Sequence, residues 1–450
     1  MFNWRNRSVD LLGSVFFRGS MPPRAADFEF LTQHGVRLEP RDPGNENVHW
    51  MLRASHDSWG DADILCPRGM PRPPRIFIEF DPDLTPDEKE TAAAGETPVL
   101  VRTQGSKEDV LTDRKSLLRY LGAVMANDGV VAMDLVSHRM WSRAALDDEL
   151  SHDADVDIVA LYTLHAVGSD SRGDDEADGA EWLHTHGLAE LGFFDFDILQ
   201  PSEALEDTAA DALRAIAFAI VEGEVTKSTP RWQLAFPKGD VRFVDVAEFN
   251  RRAEPAIKRL RGDDPDHDED HNRDRAVLCE PSGKFLGQWF DKLRPSKFLS
   301  SGFDEEGMCK FSAAASDLSE ARAKLTYPLF RALAAELKEF EMPTVAKIGY
   351  AVDDAQDDER EYLWFEVHEF FDDSVDGTLA NEPFRIARMK AGQRGRHGIE
   401  RMNDWAIFTP IGTINPRTTR AARAIRAKRD EFRALLAEAK AASMQAESES

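Results

Sequence analysis

Apolar positions recur along the chain with two different periods, and the periods divide it into elements. Val48–Ala54 and Arg75–Phe80 read as strands, each bounded by Gly, Pro or Asp. Thr85–Ala94 opens with Thr-Pro-Asp-Glu, a helix start with an early proline and acids in the first turn. Pro98–Thr103 is a short strand. Asp109–Asn127 is the clearest helix, with Leu111, Leu117, Leu118, Leu121, Val124 and Met125 roughly on one face and an Asn-Asp-Gly stop after it. Val130–Ser137 and Val156–Val167 read as further strands. Glu203–Glu222 is a second helix, with Leu205, Leu213, Ile216, Ala217 and Ile220 as its stripe. Arg231–Phe236 and Val241–Val246, split by Pro-Lys-Gly-Asp, predict a hairpin. A helix over Asp317–Phe340 carries Pro328, which should kink or divide it. Then follow strands at Thr344–Val352, Tyr362–Phe371 and Val375–Leu379, a short helix at Phe384–Met389, and β-type segments at Gly392–Ile399 and Trp405–Phe408.

Strands and helices alternate without a regular βαβ rhythm, so the expected class is α+β. The expected arrangement is a large mixed N-terminal region, a small β-rich, barrel-like C-terminal domain and a C-terminal helix. The boundaries read from composition are 1–45, poorly patterned; 46–261, the α+β region; 262–275, an acidic linker or loop (GDDPDHDEDHNRDR); 276–343, an α-rich connection; 344–415, the β-rich domain; and 416–450, an Arg-rich helical tail. Whether the N-terminal region is one domain or two stays open at this level.

Composition narrows the class. The chain has 450 residues, 42% hydrophobic and 31% charged, which suits two or three packed globular units. A formal net charge of -26 repels phosphate backbones, so nucleic acid is an unlikely partner. Arg417, Arg420, Arg423, Arg426 and Arg429 stand three apart in the tail. That spacing drifts about 60° per step around a helix, and docking on the protein's own acidic surface is the expected use. The excess of arginine over lysine suggests a GC-rich bacterial genome. Cys66, Cys279 and Cys309 are distant from one another and form no Cys-x-x-Cys pair, as expected of reduced thiols in the cytoplasm. The apolar run Leu11–Phe17 is too short for a signal peptide or a membrane helix, so a cytoplasmic protein with no membrane partner is expected.

Near the C-terminus the runs EYLWFEVHEF, GTLANEP, MKAGQ and NDWAIF lie between Glu361 and Phe408. With their aromatic–Glu strand, Gly/Asn/Pro turn, Lys-x-Gly turn and Asp-Trp pair, they resemble the YegJ-like family (domain of unknown function 2314). Gln393 departs from that pattern, standing where the family has an acidic residue after the Lys-Gly turn. Upstream, WLHTHGLAELG (Trp182–Gly192) and the strand Asp195–Leu199 are similar to uncharacterised segments that accompany such domains in bacteria. The resemblance implies a fold and a domain boundary and carries no reaction.

Candidate chemistry falls in two places. Trp364, Glu366, Asn381 and Trp405 would line a groove for a peptide or small ligand; the simpler reading makes them core and turn residues. His184 and His186 stand two apart, with His165 on the preceding strand and Asp195 and Asp197 just after. On a strand the two histidines share a face and could hold Zn²⁺. On a helix they diverge, and Leu183–Leu191 reads as at least half helical, which favours a histidine satisfied at a helix start beside Gly187. The run Asp264-x-Asp266-x-Asp268, with His267 and His271, begins like a calcium loop but has Glu269 at the glycine position and Arg275 at the bidentate glutamate position. No Walker loop, nucleophile elbow or HExxH pattern is present. The expectation is therefore a non-catalytic binding or protein-interaction module with an unidentified protein or small-molecule partner, no cofactor and no bound metal. The alternative is a metal-assisted hydrolase using His165, His184 and His186 with Asp195 or Asp197.

Overall fold

The computed structural model describes residues 8–434, apart from 19–20, 71–72, 74, 80, 82–83, 95–97, 127, 169–179, 202–204, 237–238, 262–272, 283–291, 302–307, 354–358, 410–411, 419–421, 423–424, 427–428 and 431–432. The chain forms two compact units. One comprises Met1–Leu146 and Asp155–Ser312, the other Asp147–Ala154 and Ala313–Ser450. The α+β class holds, with strands and helices mixed in the first unit and a helix-backed sheet in the second.

The first unit is built on two sheets. Strands β1 (Val9–Phe17), β2 (Arg37–Arg41), β3 (Val48–His56), β4 (Gly60–Pro67), β5 (Pro98–Gly105), β6 (Gly129–Asp134) and β7 (Met140–Ser142) form an antiparallel sheet in the order β2-β3-β4-β5-β1-β6-β7. The near-continuous apolar run of β1 suits an inner strand, which pairs with β5 on one side and β6 on the other. The second sheet contains β8 (Thr163–Gly168), β9 (Ala180–His186), β10 (Asp195–Leu199), β11 (Trp232–Gln233), β13 (Asp240–Asp245) and β14 (Arg275–Cys279), in the order β11-β13-β14-β10-β9-β8. Its one parallel pair is β10 with β14. A separate ribbon joins β12 (Ala235–Phe236) to β15 (Met308–Cys309).

Among its described residues the first unit has three α-helices of nine or more residues, α1 (Pro86–Ala94), α2 (Val110–Met125) and α3 (Leu205–Val221). Thr85 and Glu88 close a reciprocal cap on α1, each side chain accepting from the other's backbone N–H. Leu117, Leu118, Leu121, Val124 and Met125 of the α2 stripe are buried and Leu111 is half-buried, and the helix comes so close to β1 that a Cβ on Gly13 would lie 2.8 Å from Leu121.

The second unit holds β16 (Thr344–Ala351), β17 (Arg360–Phe370), β18 (Ser374–Leu379), β19 (Arg394–Gly398), β20 (Met402–Thr409) and β21 (Gly412–Ile414), antiparallel in the order β19-β18-β17-β16-β20-β21. Helix α4 (Ala313–Glu336) packs on β20, and Phe330 stacks on Trp405 with ring centres 4.7 Å apart. In the tail, Arg426 pairs with Glu336, and Arg429 and Arg433 pair with Glu339, so these arginines do face acids of their own unit. Arg420 and Arg423 lie outside the described residues.

Several expectations are corrected. The C-terminal sheet is open, with β19 and β21 as its two ends, and not barrel-like. Arg75–Glu79 is a short helix, its Ile78 buried against Phe16 and Val131; five residues are too few for periodicity to separate the two conformations. Val156–Val167 is not one strand. Asp157 caps a 3-10 turn over Ile158–Leu161 by accepting from the Val159 amide, and β8 begins only after it. The segment 384–389 is irregular because Glu361 takes up the Phe384 and Arg385 amides and Asp353 the Ala387 amide. Pro328, at an exposed position, does not divide α4, which is continuous from Ala313 to Glu336. The predicted hairpin after Arg231 is split between two partners, β11 pairing with β13 and β12 with β15. The acidic run with Asp264, Asp266, Asp268, His267 and His271 lies outside the described residues. No helix among the described residues is long and apolar enough to cross a membrane.

Candidate metal centre

Trp182, His184 and His186 alternate with Leu183 and Thr185, and the alternation is realised as strand β9 up to its last residue. The half-helical reading of Leu183–Leu191 is therefore corrected, since only a turn follows at Gly187. The two histidines fall on one face of β9. Antiparallel pairing places His165 of β8 directly opposite His184, and Thr163 opposite His186. Cross-strand partners share a face, so three imidazoles converge. Their ring centres are 5.2 Å (His165–His184), 4.7 Å (His165–His186) and 4.9 Å (His184–His186) apart. One ligand atom from each lies within 4.8 Å of the others, and among the described residues this is the one such group of three or more.

Two imidazoles bound tetrahedrally to one Zn²⁺, with metal–nitrogen bonds of about 2.0–2.1 Å, hold their ring centres about 5 Å apart. The observed ring-centre separations match that value. A set of three neutral nitrogens suits Zn²⁺, Co²⁺, Ni²⁺ or Cu²⁺ and is poor for Mg²⁺ or Ca²⁺, which take oxygen.

The surroundings hold the rings in place. Trp182 stacks on His184 with ring centres 4.0 Å apart, and the Arg261 guanidinium lies over Trp182 at 5.6 Å. Asp197 of β10 is the register partner of His184 on its other side. Its buried carboxylate accepts from Arg261 Nε and Arg275 Nη1, both at 2.7 Å, while Arg275 Nη2 donates to the Thr185 carbonyl at 2.9 Å.

Asp195 has a different task. Its carboxylate accepts from the Thr185 hydroxyl at 2.8 Å and from the Leu188 and Ala189 amides, both at 3.3 Å. It braces the turn after His186 and is not part of the imidazole group. Burial pushes its pKa up to about 6, against the opposing pull of Arg275 and the Thr185 hydroxyl. Gly187 makes that turn possible. Its φ is +122°, and a Cβ there would lie 2.4 Å from the Leu161 carbonyl and 2.9 Å from Ser137 Cα.

A fourth histidine, which periodicity did not single out, stands beside the three. His138 lies in the turn between β6 and β7, with its ring centre 6.0 Å from that of His186. No spacing in the sequence links position 138 to β8 or β9, so only the packing of the turn brings it here.

In the second unit the four residues read as a groove do not share a surface. Trp405 is fully buried and donates Nε1 to the Thr326 hydroxyl at 2.9 Å. Asn381 closes a turn, its Oδ1 accepting from the Trp364 amide at 3.0 Å. Trp364 is half-buried, with the Lys347 ammonium 5.3 Å from its ring centre, and Glu366 is exposed.

Residues 165–279, which include all three clustered histidines, match the family described as "Protein of unknown function (DUF4026) C-terminal". Residues 315–432 match "Uncharacterized protein conserved in bacteria (DUF2314)", the family that the Glu361–Phe408 runs resemble. The chain thus joins two segments of uncharacterised families. No curated protein and no solved structure matches it.

Proposed function

We propose that the first unit carries a divalent transition-metal site, with Zn²⁺ the best-suited ion, and performs metal-assisted hydrolysis there. The observation that carries this reading is the convergence of His165, His184 and His186 on one face of β8 and β9, at the ring separations of a shared ion. Three protein nitrogens leave a fourth tetrahedral position for water or a substrate oxygen. An ion so held lowers the pKa of bound water towards neutrality and polarises a carbonyl or phosphoryl group. Asp195 and Asp197 support the strands from outside the ligand set.

Metal analysis of the dialysed full-length protein after Zn²⁺ loading tests the reading. About one Zn²⁺ per chain is expected in the wild type and none in His184→Ala, with hydrolysis of an activated ester or phosphodiester following the metal. A wild type that retains no Zn²⁺, or a His184→Ala protein that retains as much, overturns it.

A second reading concerns the other unit. Trp364, Lys347 and Glu366 lie on the side of β16 and β17 opposite to buried Phe365 and Ala346, and this patch offers an aromatic surface with both charges for a protein segment. A stoichiometric partner recovered with wild type but not with the stably folded Trp364→Ala variant is expected; equal recovery by both rules the patch out.

A further inference from the structure

His138 is placed with more constraint than a surface turn needs. Its backbone is left-handed at φ +58°, a conformation that His, Asn and Asp adopt more readily than most residues. The turn carrying it is fastened from both sides. Buried Asp134 accepts from the Val136 and Ser137 amides at 2.9 and 3.1 Å, and its other oxygen pairs with buried Arg114. The Thr163 hydroxyl donates to the Ser137 carbonyl. Thr163 is the register partner of His186 and lies two residues before His165, so it shares their face. The turn therefore sits over the imidazole-bearing face, and Gly187, lacking a Cβ, lets Ser137 approach the end of β9. The outcome is a fourth imidazole 6.0 Å from His186, beside His165 of β8 and His184 and His186 of β9.

From this placement we infer that His138 is a positioning residue for the proposed metal site, donating an N–H hydrogen bond to the small anion or substrate oxygen at the fourth coordination position. The inference rests on the metal reading and deepens it. The ligand class it defines is an anionic or strongly polarised group, such as a carboxylate, a phosphoryl oxygen or a developing oxyanion, small enough to reach the ion and the ring together. His138 lies outside the group of three whose ligand atoms are within 4.8 Å of one another, and its ring stands farther from His186 than theirs do, which suits an outer partner better than a ligand. Outer partners of this kind are typically worth ten- to hundredfold at metal sites.

The experiment uses the full-length protein loaded with Co²⁺, whose visible absorption reports its ligands, and azide as the probe anion. Three proteins are compared: wild type, His138→Gly and His138→Asn. Glycine removes the ring while relaxing the left-handed backbone, and asparagine keeps both the backbone preference and an N–H donor. Co²⁺ affinity is expected to stay within a few-fold across the three. Azide affinity is expected to fall about tenfold or more in His138→Gly and to recover in part in His138→Asn. Equal azide affinity in wild type and His138→Gly, with Co²⁺ bound in both, overturns the role of His138 and leaves the metal site standing. Failure of the wild type to bind Co²⁺ overturns the metal reading itself.

Discussion

Asp197→Ala is expected to destabilise the first unit by about 3–5 kcal/mol, a large share of the roughly 5–15 kcal/mol available to a folded domain. The reason is an asymmetry in the energetics of buried charge. With Asp197 in place, Arg261 and Arg275 each direct a nitrogen at its carboxylate from 2.7 Å, and all three side chains are buried. The pairing offsets the desolvation of the three charges. Without the carboxylate, two guanidinium groups stay in the interior with their compensating charge gone, and water must enter or the strands must part. Asp197→Asn keeps the volume and some hydrogen bonding and should fall between wild type and alanine. Urea unfolding followed by circular dichroism checks this; a loss under about 1 kcal/mol for Asp197→Ala would mean that the arginines find other partners at little cost. Because Asp197 is the register partner of His184, the same substitution should also weaken metal binding, even though it supplies no ligand.

Trp405→Ala should have an effect of similar size in the second unit, about 3–5 kcal/mol. Its indole is fully buried, stacked nearly parallel on Phe330 at 14°, and its N–H is satisfied by the Thr326 hydroxyl. Truncation removes the largest fully buried side chain among the described residues and opens a cavity between α4 and β20, whose backbones cannot collapse to fill it. The Thr326 hydroxyl keeps its bond to the Arg322 carbonyl, so the loss is one of packing rather than of an orphaned polar group. Trp364→Ala is the control, because its ring is half-buried on the other side of the sheet. A decrease of less than about 1 kcal/mol is expected there. Equal losses at the two positions would contradict the placement of Trp405 in the core.

The contrast between these tryptophans shows where sequence reading stops. Both lie in strands rich in aromatic residues, and period-2 alternation assigns each to one of two faces without saying which face α4 will cover. Contact with Phe330 and Thr326, roughly eighty positions away, makes the choice. The histidines teach the complementary lesson. Their i, i+2 spacing was legible, and its meaning turned on whether the backbone there was strand or helix. Leu183, Leu188 and Leu191 favoured a helix locally. Pairing of β9 with both β8 and β10 supplied the ladder hydrogen bonds that override such a preference. His138 was out of reach, because a turn residue in one sheet and the end of a strand in another are related only through Asp134, Thr163 and Gly187.

By itself the sequence determined what short-range physics can carry: the long amphipathic helices α2 and α3, most of the strands, the α+β class, and the resemblance of Glu361–Phe408 to an uncharacterised family. It also placed His165, His184 and His186 among the candidates. The tertiary structure alone decided that these three share a face, that His138 joins them, that Trp405 belongs to the core and that the C-terminal sheet stays open. Period and propensity act over a few residues and register backbone conformation. Strand register, sheet order and the covering of one face by a distant helix depend on contacts between segments far apart in the chain, and those contacts exist only once it has folded.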